Sequence, residues 1–159
     1  MDIDIYVAKA FDSAVLAALH TLCFGIETGE PWTPEAFAQL IAMPGCAALI
    51  ATGSEENDPV GYLVFRAAAD ECEIISMGVH PRARRQSIAT QLLSRMYACG
   101  RENGATRIFL EVAADNIDAL FLYRNQRFTK VGERPNYYTR LGAARTDAIV
   151  LKRNLQASD

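Results

Sequence analysis

The hydrophobic pattern of this chain changes in its middle from that of a strand to that of a helix. Residues Cys72 to Val79 have the composition of a strand. From Ser87 onward the apolar residues recur about every 3.6 positions, at Ile88, Leu92, Met96 and Cys99. This spacing predicts an amphipathic helix that closes near Asn103 and Gly104. A strand followed so closely by such a helix limits the chain to folds in which helices cover a sheet.

Six further segments have the alternating or β-branched composition of strands. They are Ile3 to Val7, Cys46 to Thr52, Val60 to Ala68, Thr106 to Val112, Phe128 to Val131 and Asp147 to Lys152. The second and third flank the turn-forming residues Gly53 to Pro59, so they are predicted to pair as a hairpin.

Three further helices are predicted from their start signals. Asp12-Ser13 can cap an apolar helix that runs through Phe24, and Gly25 to Trp32 is predicted to be a loop. Thr33-Pro34-Glu35 begins a helix that should end near Met43-Pro44-Gly45. Either Asp115 or Asn116 can cap a short helix through Tyr123.

The resulting order, β-α-α-β-β-β-α-β-α-β-β, predicts an α+β fold with helices on both faces of one sheet. The chain has 159 residues, half of them hydrophobic, which suffices for one core and predicts a single domain over residues 1–159. Its net charge of −3 offers no general surface for polyanions, so no direct nucleic acid partner is expected.

Compartment and metal content are also constrained. The acidic amino terminus and the lack of a roughly 18-residue apolar stretch argue against a signal peptide and a membrane span. The four cysteines are isolated in apolar segments and are predicted to be reduced and buried in a cytoplasmic protein: Cys23, Cys46, Cys72 and Cys99. With only His20 and His80 and no cysteine pair, no metal site is expected.

The segment between the central strand and its helix has the composition of a phosphate site. The strand ends in Val79-x-Pro81, three arginines follow, and the helix begins at the small residue Ser87. Free backbone N–H groups and the positive end of the helix dipole would then converge on one spot. The alternative is that the arginines, Arg82, Arg84 and Arg85, are solvated loop charges.

These residues resemble the central motif of the GNAT superfamily of acetyl-CoA-dependent N-acetyltransferases, Val-x-Pro-x-x-Arg/Gln-Arg/Lys-x-Gly-x-Gly/Ala. The matching positions here are Val79, Pro81, Arg84, Arg85 and Ala89, with Ser87 in place of the first glycine. Leu110-Glu111-Val112, Asn116, Leu122-Tyr123 and Phe128 match the rest of the pattern. The resemblance implies the GNAT fold, a mixed and mostly antiparallel sheet, and acetyl-CoA as co-substrate.

Narrower features resemble the RimI type, the ribosomal-protein alanine N-acetyltransferases. They are Pro31-Trp32-Thr33, the block Leu110 to Asn116, Asn136-Tyr137-Tyr138 and Asp147-Ala148-Ile149, within a resemblance that runs from about Asp4 to Lys152. The implied reaction is acetyl transfer to the N-terminal α-amine of a protein, such as a ribosomal protein, by direct attack in a ternary complex. A different acceptor amine (lysine, polyamine, amino acid or drug) and a non-catalytic acyl-CoA-binding module stay open, as does the oligomeric state.

The same resemblance implies a set of cofactor-binding residues. Strand backbone at Met77, Gly78 and Val79 would bind the pantetheine amides, and Gly78 would leave room for a close-lying pantetheine. The pyrophosphate would lie in a cradle formed by Arg84, Arg85, Gln86, Ser87, Ile88, Ala89 and Thr90. Asn116 would contact the cofactor near the thioester.

Two residues are implied to be catalytic. Glu111 would be the general base, and its task is modest because an α-amine has a pKa of about 7.7–8.0. Tyr123 would be the general acid that protonates the departing thiolate, whose pKa is near 8.5. An acetyl-cysteine intermediate is less attractive, since no cysteine is expected beside these two residues.

Further residues are assigned to the acceptor groove. Glu71 and Glu73 are reserve bases, and alternation puts both on the face of Ile75 and Met77. Glu73 is therefore assigned to the substrate groove. Aromatic residues are expected at the peptide-binding rim, where they give contact area at low entropic cost: Trp32, Tyr137 and Tyr138.

Two positions depart from the family pattern. Ser87 replaces a glycine beside the pyrophosphate, where its hydroxyl could cap the helix or donate to a phosphate oxygen, so affinity should be retained but altered. Arg127 replaces the glycine before Phe128, a position expected to close a helix in the left-handed conformation at a cost of about 1 kcal/mol.

Overall fold

The computed structural model of the chain describes residues 2–25 and 31–156, which include seven strands and four α-helices. The strands are β1 Ile3–Val7, β2 Cys46–Gly53, β3 Asp58–Ala68, β4 Glu71–Val79, β5 Arg107–Ala113, β6 Thr129–Tyr138 and β7 Thr146–Asn154. The helices are α1 Ser13–Phe24, α2 Pro34–Ala42, α3 Ile88–Glu102 and α4 Ile117–Asn125. The predicted order of elements is confirmed, although most of the predicted loop Gly25 to Trp32 lies outside the described residues. None of the described helices is long and apolar enough to cross a membrane.

The strands form one sheet in the order β1-β2-β3-β4-β5-β7-β6. All neighbours are antiparallel except β4 and β5, which confirms the mixed, mostly antiparallel sheet. Alternation along β3 sends Leu63 to one face, against α3, and Tyr62 and Val64 to the other, against α1 and α2. Helices therefore cover both faces, and each apolar stripe is buried as its period requires.

The sheet opens between β4 and β5. Their parallel ladder runs from the Glu71–Arg107 pair to the Ile74–Leu110 pair, and beyond it β4 stays paired with β3 only. A bulge at the same place leaves Ile75 without an opposite residue, because Val64 pairs with Ser76 and Phe65 with Ile74. The two strands thus continue past Ile74 and Leu110 with a gap between them.

The bulge corrects the predicted face of Glu73. Ile75 packs with the α1 and α2 layer, whereas Met77 packs with the α3 layer. Strict alternation from Glu73 would place both on one face, but an inserted residue inverts the alternation that follows it. Glu73 therefore shares a face with Ile75 and not with Met77.

Strand β6 is longer than predicted. Its expected end was Val131, but it continues through Pro135 to Tyr138. This strand lies at the sheet edge, where most of its residues are exposed, so it shows no alternation, and proline is tolerated there. Two register shifts against β7 further disturb its pattern.

Two of the predicted helix caps are confirmed and one is wrong. The Thr33 Oγ1 accepts a hydrogen bond from the N–H of Ala36 at 3.1 Å, and the Asn116 Oδ1 accepts from Ala119 at 3.2 Å, which decides between Asp115 and Asn116. Asp12 instead accepts from the N–H of Lys9 at 2.8 Å and does not cap α1 through its side chain. A short 3-10 turn before α1 draws the Asp12 carboxylate back toward Lys9.

Helix α4 ends in a left-handed residue, as predicted. Arg127 has φ +67°. Its N–H donates to the carbonyl of Arg124, and the N–H of Phe128 donates to that of Tyr123, both at 3.0 Å. This pair of bonds is a Schellman motif, whose left-handed position favours glycine.

Replacing Arg127 with glycine is expected to stabilise the protein by about 0.5–1 kcal/mol, because relief of left-handed strain exceeds the extra entropy of the unfolded chain. The melting temperature should rise by about 1–4 °C in a thermal unfolding scan. Gln126→Gly is the matched control: Gln126 has φ −90°, so it gains no relief and should be destabilised. A rise in both variants would show that the gain does not come from strain at Arg127.

Candidate active site

A cavity of about 550 Å³ lies where β4 and β5 separate. Its floor and walls come from Ile74 to Met77 on β4, Leu110 to Ala113 on β5, and α1 and α4. The structure brings six of the residues predicted from sequence to this one cavity: Met77, Glu111, Asn116, Tyr123, Trp32 and Tyr138. The cavity exists because each strand continues beyond their shared ladder.

Glu111 enters the cavity from β5. Leu110 and Val112 on either side are buried, whereas the Glu111 side chain stays 20% exposed. Its Oε1 lies 2.7 Å from the Nε of Arg134, on β6. This ion pair was not predicted, since Arg134 belongs to the part of β6 that carries no sequence pattern.

Tyr123 reaches the cavity from α4 and is 7% exposed. Its ring packs edge-on against Phe128, with centroids 5.5 Å apart. Burial raises the pKa of Tyr123 well above its usual value, and the neighbouring Tyr97 and Tyr138 add to the shift. The phenol therefore stays protonated and can act as a hydrogen-bond donor at neutral pH.

One wall of the cavity is a polar cluster around Tyr138. Burial, assisted by the charge of Glu111, raises the pKa of Tyr138 to about 12. Beside it the Arg140 guanidinium donates to both oxygens of Asp115, from Nη2 at 2.9 Å and from Nε at 3.2 Å. These bonds lower the pKa of Asp115, and Thr146 adds a further one at 3.2 Å. The Asp115–Arg140 pair was also missed, because Asp115 was considered only as a helix cap.

A second part of the cavity wall, from α1, was not predicted. His20 stacks on Trp32 with ring centroids 4.8 Å apart, and burial lowers its pKa, so the imidazole is neutral. Phe24 completes this aromatic wall. No motif marked it, because His20 lies in an otherwise apolar helix.

Cys23, which the sequence did not assign to the site, also lines the cavity. Burial raises its pKa to about 11, so the sulfur is a thiol at neutral pH and a poor nucleophile. All four cysteines are free, but only Cys72 is fully buried; Cys23, Cys46 and Cys99 are partly exposed, so the prediction of four buried thiols was wrong for three.

Cys23 also explains Gly78, for which the sequence suggested a different reason. A Cβ at Gly78 would lie 2.7 Å from the Cys23 Sγ and 2.9 Å from the Cys23 Cβ, closer than such atoms approach one another. Packing of α1 on β4 therefore already requires glycine at this position, whatever lies on the other side.

The loop from β4 to α3 is tightly organised. Arg84 donates from Nε to the carbonyl of Val79 at 3.2 Å, and Arg82 forms an ion pair with Asp58. Arg85 and Ser87 both have left-handed φ angles, +65° and +61°. Ser87 occupies the N-cap position of α3, but its hydroxyl caps no backbone group.

The amino end of α3 has the features of an anion site. The first i to i−4 bond of the helix runs from the Gln91 N–H to the Ser87 carbonyl, so the N–H groups of Ile88, Ala89 and Thr90 precede it. The Ile88 side chain is buried in the core, whereas Gln86 is exposed. Ile88 can thus contribute backbone only, and the helix dipole points its positive end at this loop.

Besides the loop residues, four predicted residues lie away from the cavity wall. Glu73 is exposed and lies outside it. Tyr137 is 50% exposed and stands behind Tyr138, with ring centroids 5.1 Å apart. Val79 and its neighbour Gly78 lie farther along β4, between the cavity and the loop that leads to α3.

Ser87→Gly is expected to raise the melting temperature by about 2–4 °C, because the left-handed strain of Ser87 disappears. The Kd for acetyl-CoA should change by less than about tenfold, since removal of the Cβ beside the pyrophosphate and loss of a hydroxyl donor to phosphate have opposite effects of about 1–3 kcal/mol. Calorimetric titration measures this. Ser87→Ala, which keeps the Cβ and removes the hydroxyl, should bind more weakly than either. A gain of many orders in Ser87→Gly would mean that the natural serine disables the site.

A mixed sheet opened between two parallel strands, with a helix amino end beside the gap and a carboxylate and a phenol within it, defines an acyltransferase. The chain belongs to the acetyltransferase (GNAT) family, whose model matches residues 14–128, and it is an acetyl-CoA-dependent N-acetyltransferase.

Proteins of the RimI type are among those that the chain is similar to. The N-alpha-acetyltransferase RimI of Mycobacterium tuberculosis is 33% identical over 129 residues, 79% of this chain and 77% of that protein. The ribosomal protein bS18 alanine N-acetyltransferase of Haemophilus ducreyi is 24% identical over 128 residues, 80% of this chain and 88% of that protein. The crystal structure of the Escherichia coli ribosomal-protein-S18-alanine N-acetyltransferase superposes with TM-score 0.86 at 21% identity, over 99% of this chain and 97% of that one.

Proposed function

We propose that this enzyme acetylates the N-terminal α-amine of a protein, with a ribosomal protein that begins with alanine as the reference acceptor. The observation that carries the proposal is that Glu111 and Tyr123 line one cavity, at the place where β4 separates from β5. The RimI-type relatives support the acceptor class, since two of the three described above are ribosomal-protein alanine N-acetyltransferases.

The residues around the opening fit acetyl-CoA, which supplies the acetyl group as a thioester. Beyond Ile74 the edge of β4 that faces β5 has no ladder partner, so the backbone of Met77, Gly78 and Val79 is available to amides of the pantetheine arm. The loop from Arg84 to Thr90 presents helix N–H groups and arginine charge to the pyrophosphate. The Asn116 Oδ1 already caps α4, which leaves its Nδ2 as the group for the cofactor.

Glu111 accepts the proton that the acceptor amine loses. The amine nitrogen forms a bond to the acetyl carbon, the carbon–sulfur bond breaks, and the proton of the amine passes to the Glu111 carboxylate directly or through water. Because an α-amine has a pKa of about 7.7–8.0, part of it is already uncharged near neutrality, and the demand on the base is modest.

Tyr123 acts on the departing sulfur. A free thiol has a pKa near 8.5, well below that of the buried Tyr123 phenol, so the main effect of the phenol is a hydrogen bond that stabilises the thiolate as it forms. This sharpens the role of general acid: the Tyr123 hydroxyl donates to sulfur throughout, and the proton finally taken up by the thiolate comes from solvent or from Glu111.

The acceptor peptide enters between the aromatic wall and the polar cluster. Trp32 and His20 lie on one side and Tyr138 with the Asp115–Arg140 pair on the other. Tyr137 extends the rim outward. Glu73, which is exposed and outside the cavity, can contact only residues farther along the peptide.

A thiol-release assay with acetyl-CoA and peptides that differ only in their first residue tests this function. Turnover of a peptide that begins with alanine, and loss of it when the amino terminus is blocked, is the expected result. Turnover of small amines alone would assign a different acceptor, and acetyl-CoA binding without turnover of any amine would indicate a binding module.

A further inference from the structure

We propose that Arg134 neutralises Glu111 and thereby makes the enzyme accept amines that are already uncharged, which favours α-amines over lysine side chains. This inference rests on the proposed role of Glu111 as the base. Arg134 touches neither the cofactor nor the acceptor in this scheme, so it is a positioning residue.

The contact between the two side chains is direct. The Arg134 Nε lies 2.7 Å from the Glu111 Oε1, and Arg134 is 58% exposed whereas Glu111 is 20% exposed. The guanidinium therefore approaches the carboxylate from the solvent side and contacts its Oε1.

The backbone of β6 keeps Arg134 in this position. Between Arg134 and Tyr138 the register shifts against β7, and Asn136 adopts φ +54° while its N–H donates to the Asp147 Oδ1 at 2.8 Å. The guanidinium carbon also lies 5.4 Å from the centre of the Tyr137 ring, a cation–π distance. The arginine is thus supported from the strand and from the neighbouring ring.

The other titratable groups on the cavity walls leave Arg134 as the counter-charge of Glu111. These groups, on α1, α4, β6 and the segments that follow β5 and β6, are His20, Cys23, Tyr123, Tyr138, Asp115 and Arg140. Burial keeps the first four uncharged at neutral pH. Asp115 is bound by Arg140. Among the cavity-lining residues that the structure describes, each carboxylate is therefore paired with one arginine, Asp115 with Arg140 and Glu111 with Arg134.

Charge balance at Glu111 changes which form of the acceptor is favoured. An unpaired carboxylate attracts an ammonium group, whereas a carboxylate already paired with arginine has little net attraction for a second cation. At pH 7 about 9–17% of an α-amine of pKa 7.7–8.0 is uncharged, against about 0.04% of a lysine amine of pKa 10.4. A site that selects the uncharged form therefore discriminates strongly against lysine.

The test compares two peptides of related sequence, one with a free α-amine and no lysine, the other with a blocked amino terminus and one lysine. For each, kcat/KM is measured from about pH 6 to 10, across the range where these amines titrate. The variants are Arg134→Gln, which removes the charge, Arg134→Lys, which keeps it, and Arg95→Gln, an exposed arginine on α3 as the control for net charge. Melting temperatures establish that each variant is folded.

In Arg134→Gln the ratio of lysine to α-amine turnover at pH 7 should rise about fivefold, a modest factor because solvent screens a half-exposed pair. The rise of kcat/KM with pH for the α-amine peptide should also begin at a lower pH, because the ammonium form now binds productively. Arg134→Lys should restore the natural ratio, and Arg95→Gln should match the natural enzyme.

An unchanged ratio and pH profile in folded Arg134→Gln would overturn this inference alone, provided that the natural enzyme acetylates the α-amine peptide. If the natural enzyme acetylates the lysine peptide in preference to it, the proposed function fails and the inference with it. The two failures are thus distinguished by the natural enzyme before any variant is compared.

Discussion

Glu111→Gln should lower kcat/KM for an α-amine peptide at pH 7 by about 10²–10⁴-fold, because glutamine keeps the shape of the side chain but accepts no proton. The defect should persist above about pH 8, because Glu111 takes the proton that an uncharged amine loses as its bond to the acetyl carbon forms. Thiol release measured across pH gives both results. Calorimetric titration should show that acetyl-CoA binds as in the natural enzyme, since Glu111 lies on β5 and the predicted cofactor edge is on β4.

Glu73→Gln distinguishes Glu73 from Glu111 as the candidate base. Glu73 is exposed and outside the cavity, so its substitution should change kcat by less than about twofold. If Glu73→Gln loses as much activity as Glu111→Gln, the acceptor binds near Glu73, at the amino end of β4, and the assignment of the base is wrong.

Tyr123→Phe should lower kcat by about 10²-fold with little change in KM, because the lost hydroxyl acts on the thiolate that forms only during the reaction. The pKa of Tyr123 is raised by burial, so the natural enzyme should show no loss of activity from its ionisation below about pH 10. A pH–rate profile of kcat for both proteins measures these effects.

Tyr97→Phe is the matched control for Tyr123. Tyr97 is also buried, but its hydroxyl donates to the Gln126 Oε1 at 3.1 Å and does not line the cavity. Its loss should lower stability while leaving kcat near the natural value. Equal losses of kcat in the two variants would show that hydroxyl burial, and not chemistry at the sulfur, explains the effect.

The hydrophobic pattern of the sequence predicts most of the helices and strands. The prediction fails where a strand is exposed, because burial then imposes no pattern. Helix α3 could be predicted because its apolar residues must lie on one stripe to be buried. The outer half of β6 could not, because an exposed edge strand places no constraint on alternation. The bulge at Ile75 could not be predicted either, because a bulge is defined by the pairing of β4 with β3, which leaves Ile75 without an opposite residue.

The site divides in the same way. Glu111 and Tyr123 could be named from a motif, because chemistry restricts the residue type at those positions. Their partners could not: Arg134 contacts Glu111, and Arg140 contacts Asp115, across gaps in the sequence that are closed only because β5 and β6 both pair with β7. Any arginine on a surface strand has the same local signature.

By itself the sequence determined the class of fold, and its resemblance to the GNAT motif indicated the proposed acetyl-CoA loop and the two residues proposed for catalysis, because a motif lies within one strand, one loop or one helix. Only the tertiary structure decided the face of Glu73, the packing reason for Gly78 and the ion pair that Glu111 forms with Arg134. Each of these depends on a contact between elements that fold together from distant segments, Cys23 against Gly78 and Arg134 against Glu111. Such contacts are set by sheet order and register, which no local pattern encodes.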